Sequence, residues 1–94
     1  MLEIPPGTIA FGTQLPIQSQ SSVFVAPWER SATPADLLAI TRAADRSGYF
    51  YVAVCDHIAV PRDRADGMGL WWQDCLTTLG YLASATENVA LLSH

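Results

Sequence analysis

Two adjacent residues, Asp56 and His57, carry the clearest chemical potential in this chain of 94 residues. Histidine titrates near neutral pH, so its imidazole can act as a base, as an acid or as a hydrogen-bond donor to an anionic ring. A carboxylate beside it can fix the imidazole tautomer or bind a separate donor. Both side chains could instead be structural, with Asp56 capping a loop and His57 satisfied at a bend. Composition alone leaves both roles open.

A metal site is a weaker interpretation of the same residues. Metallohydrolases built on barrels commonly carry His-x-His at the end of the first strand, and the segment Gln14-Leu15-Pro16 offers no such ligands. One Asp and one His are too few for a closed site, so we expect no bound metal. Cys55 and Cys75 lack a CxxC spacing, and we expect reduced thiols rather than a disulfide.

Three tryptophans, Trp28, Trp71 and Trp72, flank the loops around these residues. Aromatic walls suit a flat heterocycle, because cofactor pockets are mostly apolar with a few polar anchors. Tryptophans in loops also serve as packing anchors. Trp71 and Trp72 could serve both purposes, one facing inward and the other packing against the wall.

The elements that must position these residues follow from two alternating hydrophobic periods. Thr33 can cap a helix, Pro34 suits its first position, and Asp36 lies where the helix dipole favours an anion. Gly48 is the expected left-handed stop. In the second helix, we expect Leu76, Leu79, Leu82 and Ala83 to share one face. The patterns predict strands over residues 8–15, 49–55 and 88–93, and helices over residues 34–47 and 72–86.

The order of these elements predicts an α/β fold with parallel strands. Residues 49–55 are apolar on both faces, as a strand covered by helices on one side and a core on the other requires. Strand, helix and strand in succession imply right-handed crossovers, which occur in doubly wound sheets and in barrels. A dinucleotide-binding unit would show G-x-G-x-x-G after the first strand, but no glycine follows Gly12 until Gly48. In either architecture, the carboxyl ends of the strands form the functional rim.

Composition excludes several other classes of protein. The net charge is −4, without clustered Lys or Arg, so we expect no nucleic-acid partner. No apolar run approaches the roughly 20 residues of a membrane span, so we expect no membrane partner. Residues 1–6 lack the basic start and apolar stretch of a secretory signal peptide, and we expect a cytoplasmic protein.

Three motifs in order resemble the luciferase-like monooxygenase superfamily. None is specific alone, but their order and separation match over nearly the whole chain after Gly7. The resemblance implies that residues 1–94 form a single partial domain, the N-terminal β-α-β-α-β part of a (β/α)8 TIM barrel with parallel strands. The motifs are Phe11-Gly12 to Leu15-Pro16, Gly48-Tyr49 to Cys55-Asp56-His57, and Trp72-Gln73-Asp74-Cys75-Leu76 to Leu82-Ala83-Ser84-Ala85-Thr86.

The same resemblance implies a redox enzyme. In its deazaflavin-dependent branch, an Asp-His pair ends the second strand beside the ring of coenzyme F420. Carried over, Asp56 would help to place the ring, and His57 would be catalytic, contacting the reacting region or transferring a proton. Hydride would pass between the deazaflavin and a small organic substrate. The alternative is an FMN-dependent monooxygenase that uses reduced flavin and oxygen.

Two departures from the family pattern concern the strand ends. Cys55 stands where many relatives have Ser or another small residue. The family's third strand carries a bulge, often with a non-prolyl cis peptide under the ring, and this feature should fall at Ser93 or His94. These two residues complete the expected cofactor-binding set with Asp56 and His57.

A complete barrel needs about 250 residues, so we expect the chain to be a truncated or partial product with little turnover alone. Its exposed strand edges favour aggregation or oligomerisation, and we expect the complete enzyme to be a homo-oligomer. The competing interpretation is a non-catalytic α/β module that binds a partner through its open face.

Overall fold

The computed structural model describes residues 3–94, so Met1 and Leu2, at the start of the segment tested for a signal peptide, lie outside it. Strands and helices alternate as the sequence predicts, and the fold is α/β. Short 3-10 turns cover Pro27–Ser31 and Arg62–Arg64. The strands are β1 (Gly12–Gln14), β2 (Tyr51–Val54) and β3 (Ala90–Ser93), and the helices are α1 (Pro34–Arg46), α2 (Ala65–Met68) and α3 (Cys75–Ala83).

The three strands form one open, parallel sheet in the order β1-β2-β3. Strand β2 is central. Val52 and Val54 are fully buried on one face and Ala53 and Cys55 are buried on the other, which explains why this segment is apolar on both faces. Strand β1 is shorter than residues 8–15, because its pairing with β2 runs only from the Phe11 carbonyl to the Leu15 amide. The parallel sheet is confirmed, and the barrel would require further strands.

Helix α1 begins and ends as its sequence predicts. The Thr33 hydroxyl accepts a hydrogen bond from the Asp36 amide, and the Asp36 carboxylate accepts one from the Thr33 amide in return. This reciprocal cap satisfies two donors that would otherwise lack partners. After Arg46, the chain reverses at Gly48, whose φ of 78° is the left-handed conformation that glycine adopts readily.

Helix α3 is shorter than predicted and turns a different face to the core. The Asp74 carboxylate caps it by accepting a hydrogen bond from the Thr77 amide, so Trp72 and Gln73 remain outside the helix. Its buried residues are Cys75, Thr78 and Leu82. The expectation that Leu76 and Ala83 share this face is wrong, and Leu76 is 77% exposed.

Both longer helices pack on the same face of the sheet. Side chains two apart on a strand share a face, and Val52 and Val54 enter one core with Leu37 of α1 and Leu82 of α3. The opposite face holds Tyr51, whose ring lies over Gly12 so closely that a Cβ at this glycine would overlap it. This opposite face is open and carries the side chains of the candidate site.

The end of β3 differs from the family pattern. The His94 amide donates to the Val54 carbonyl, and the Asp56 amide donates to the His94 carbonyl. The parallel ladder therefore stays regular through His94. No peptide bond between residues 3 and 94 is cis, so the bulge and cis peptide expected at Ser93 or His94 are not found there. Within the same residues, no helix has the length and apolar character needed to cross a membrane.

Candidate functional site

The carboxyl ends of all three strands open into one cavity of about 510 Å³. Strand β1 contributes Gln14, β2 is followed by Cys55 and His57, and β3 is followed by His94. The two loops that leave the carboxyl ends of β1 and β2 complete the wall. The cavity therefore lies where parallel α/β folds place their ligands.

Three polar side chains form a row across the open face of the sheet. The Gln14 amide nitrogen donates to Cys55 Sγ at 2.8 Å, and His94 Nε2 lies 3.8 Å from the same sulfur. Burial, and secondarily the neighbouring Cys75 thiol, raise the pKa of Cys55 above its ordinary value. The row thus holds a protonated thiol between an amide and an imidazole.

His57 lies at the edge of the cavity against an aromatic wall. Its imidazole stacks on the Trp72 indole with ring centroids 3.8 Å apart and planes inclined by 11°. Such a stack contributes about 0.5–1.5 kcal/mol beyond area burial and fixes the orientation of both rings. His57 remains exposed to solvent. Of the three tryptophans, only Trp72 lines this cavity, whereas Trp71 and Trp28 border separate depressions.

The four predicted cofactor-binding residues are not equivalent in the structure. His57 and His94 line the cavity. Asp56 follows β2 as expected, but its exposed side chain does not contribute to the wall. Ser93 pairs with Val54, one residue before His94, and likewise does not line the cavity.

The cavity wall is built by pairing two loops that are distant in sequence. Ser19 and Trp72 form an antiparallel bridge, and the Gln73 amide donates to the Gln18 carbonyl at 2.8 Å. Further along, the buried Ser21 hydroxyl donates to the Gly67 carbonyl at 2.7 Å. These bonds explain why the long segment after β2 is ordered although it contains little regular structure.

Ile17, directly behind this wall, has an unusual backbone conformation. Its φ of 64° lies in the left-handed region, where a β-branched residue is a genuine outlier. The Glu29 carboxylate accepts from the Ile17 amide at 2.7 Å, and the Gln73 side-chain amide donates to the Ile17 carbonyl at 2.7 Å. Two side chains from different segments therefore clamp the turn that directs Pro16 and Gln18 to the cavity.

Two buried polar atoms of wall residues have no hydrogen-bond partner among the described residues: Gln18 Oε1 and Trp72 Nε1. Gln18 is only 5% exposed, and its side-chain nitrogen already donates to the Pro16 carbonyl at 3.2 Å. Buried polar groups are nearly always paired. An unpaired acceptor and an unpaired donor in one wall are therefore exceptions to this rule.

The sequence placed Gln14 and Cys55 at the ends of the first two strands without a functional role. It did not indicate Gln18 or Glu29, since their places depend on the pairing of two loops. Across residues 3–94, no group of three or more His, Cys, Asp or Glu side chains could hold a metal ion. Both cysteines are free.

Comparisons with known proteins add no family assignment. No protein-family profile matches the chain, and neither the curated proteins nor the solved structures include a match.

Proposed function

We propose that this chain forms the ring-binding part of a luciferase-like (β/α)8 barrel oxidoreductase that uses coenzyme F420 to exchange hydride with a small organic substrate. The observation that carries the proposal is the convergence of three strand ends on one cavity that contains a stacked His57–Trp72 pair. Ligands of parallel α/β folds bind at this end of the strands. The family rests on the resemblance of the sequence motifs, and the cavity at the strand ends supports the proposal.

The residues present fit the ring of such a cofactor. A volume of about 510 Å³ falls within the roughly 300–1,000 Å³ of typical ligand pockets. The Trp72–His57 stack offers a flat wall, and Gln14 and Gln18 border the cavity as polar residues. No Arg borders the cavity within residues 3–94, so we assign it to the ring rather than to the anionic tail.

When bound, the deazaflavin would supply a carbon that accepts or delivers hydride. The chain's own residues would orient and protect it. Trp72 would exclude water from one side of the cavity, and the amides of Gln14 and Gln18 would donate to or accept from polar groups. A ring nitrogen of His57 would hold or move the proton that accompanies hydride transfer, since imidazole can both accept and donate a proton.

Cofactor binding tests the proposal directly. The chain is titrated with oxidised F420, reduced F420 and FMN, and binding is followed by tryptophan fluorescence and visible absorbance. We expect F420 to bind, Trp72→Leu to abolish binding and Trp28→Leu to preserve it, because Trp28 borders a separate depression. Binding of FMN alone would overturn the cofactor assignment. Equal effects of the two tryptophan variants would overturn the assignment of the cavity.

The role of His57 is tested in an assembled barrel that oxidises reduced F420. We expect His57→Ala to lower turnover by about 10²–10⁴-fold, the usual contribution of a general acid or base. Asp63→Ala is the control, because this side chain is exposed and does not border the cavity. Unchanged turnover in His57→Ala would remove His57 from the chemistry.

A further inference from the structure

The same cavity is lined by a thiol, that of Cys55, which hydride transfer does not use. Cys55 Sγ lies between the Gln14 amide nitrogen, at 2.8 Å, and His94 Nε2, at 3.8 Å. The three side chains come from the ends of three adjacent strands, and all three border the cavity. A thiol with an imidazole in reach is the arrangement by which proteins activate cysteine.

The cavity around this thiol is suited to an uncharged, flat ligand. Gln18 is more than nine-tenths buried, borders the same cavity and has an unpaired Oε1. The stacked rings of His57 and Trp72 supply a flat surface. Within the described residues, the lining contains no Arg, and the carboxylate of Glu29 is taken up by two backbone amides. The described lining therefore has no permanently charged cation for a phosphate or a carboxylate ligand.

The other cysteine provides an internal contrast. Cys75, the first residue of helix α3, is buried in the core on the helix-covered face of the sheet, and its thiol contacts the Val54 carbonyl at 3.8 Å. It does not border the cavity at the strand ends and has no imidazole partner in the described part of the chain. Burial raises the pKa of both thiols. Both cysteines are 5% exposed, so the adjoining cavity and the neighbouring base are what distinguish Cys55 from Cys75.

We propose that Cys55 and His94 form a thiol–imidazole pair that adds to planar, conjugated carbonyl compounds entering the cavity. His94 Nε2, in the tautomer that carries its proton on Nδ1, accepts the proton of the thiol. The sulfur then bonds to the β-carbon, and the π electrons of the carbon–carbon double bond move to the α-carbon. His94 returns the proton there. The sum is addition of S–H across the double bond, and no oxidant, reductant or flavin is required.

A base is necessary because Cys55 is protonated at neutral pH. Burial raises the pKa of this thiol, which leaves little thiolate in solution at pH 7. An unassisted thiol of this kind would react more slowly as burial increases. His94 can remove the proton as the sulfur attacks, so the rate no longer depends on the small population of free thiolate.

Labelling with N-ethylmaleimide, itself a planar conjugated carbonyl compound, tests the pair without any cofactor. The Cys75→Ser chain reports Cys55 alone, and the Cys55→Ser chain reports Cys75 alone. We expect Cys55 to react about tenfold faster or more at neutral pH, as general-base assistance would allow. Mass spectrometry of the folded chains gives both rates, and circular dichroism confirms folding. Equal rates at the two cysteines would overturn the proposal.

The pH dependence identifies the role of His94. Without a base only thiolate reacts, so below the thiol pKa the labelling rate rises about tenfold for each unit by which the pH is raised. We expect the labelling rate of Cys55 to rise less steeply than this in the parent chain and by the full tenfold in His94→Gln. The labelling rate of Cys75 should be the same with and without His94→Gln. A tenfold slope already in the parent would overturn the proposal even if His94→Gln does not fold. Since no flavin is present, these results are independent of F420 binding.

Discussion

The layer of helices and the cavity at the strand ends differ in how completely their buried polar groups are hydrogen-bonded. Under the helices, the fully buried Thr41 hydroxyl donates to the Leu37 carbonyl, and Thr78 donates to the Asp74 carbonyl. In the cavity wall, Gln18 Oε1 and Trp72 Nε1 lack partners. Paired groups stabilise the helix-covered layer, whereas the unpaired groups lie in the wall of the cavity to which we assign binding.

Backbone strain also differs between the helix layer and the cavity wall. Helix α1 begins and ends with ordinary capping conformations, whereas Ile17 behind the cavity has a φ of 64°. Such a conformation costs on the order of 1–3 kcal/mol and persists only where the surroundings hold it. Glu29 and Gln73 bind the two polar backbone groups of Ile17. The strain is therefore confined to the wall that the proposed function uses.

The largest effect should come from the helix-covered core. Leu82→Ala removes a side chain that is fully buried between α3 and the sheet, and we expect a loss of about 2–5 kcal/mol in the free energy of unfolding. Leu76→Ala, on the exposed face of the same helix, should change it by less than about 0.5 kcal/mol. Urea denaturation measures both. Similar losses would mean that α3 buries the face its sequence periodicity predicts.

The second effect tests the clamp on Ile17. Glu29→Ala removes a carboxylate that accepts from the amides of Ile17 and Ala26, both at 2.7 Å. Hydrogen bonds to a charged group contribute about 1.5–3 kcal/mol, so we expect a loss in this range or somewhat below, since Glu29 is only half-buried. Amide hydrogen exchange should accelerate at Ile17 and not in α1. Uniform acceleration would show that the wall is not a separate unit.

A smaller, pH-dependent effect belongs to Asp45 in helix α1. Its carboxylate accepts from the amides of Val89, Asn88 and Glu87, and the first two of these bonds hold the pKa of Asp45 below its ordinary value of 3.8. The stabilisation is therefore complete above that value and is lost as the pH falls through the lowered pKa.

Asp45→Asn should accordingly be less stable than the parent at neutral pH, and the difference should shrink below about pH 4. Asp63→Asn is the control, because this exposed side chain makes only a surface ion pair with Arg64 at 3.6 Å. Denaturation at several pH values provides the measurement. A difference that is constant with pH would assign the loss to packing rather than to the ionised carboxylate.

These contrasts show which features a single sequence reveals. The cap at Thr33, the stop at Gly48 and the parallel strands depend on local residue types and periodicity, and the structure confirms them. His57 lies at the rim of the sheet, as its position directly after the second predicted strand indicates. The sequence could not reveal its stack on Trp72, which needs the loop after β2 to fold back on itself, or the unpaired oxygen of Gln18, which lies where two loops pair across more than 50 residues.

The smallest expected effect is at Gln18, and it separates the contribution of a residue to stability from its contribution to binding. Gln18→Met keeps the length of the side chain and removes an oxygen that has no partner, so we expect a change within about 1 kcal/mol of zero despite the loss of the bond to Pro16. Thr41→Val removes a satisfied, fully buried hydroxyl and should cost about 0.5–1.5 kcal/mol. Ligand binding should respond in the reverse order: F420 titration weakens in Gln18→Met and is unchanged in Thr41→Val. A stability loss in Gln18→Met larger than that in Thr41→Val, with F420 affinity intact, would make Gln18 a structural residue and remove the distinction between the two regions.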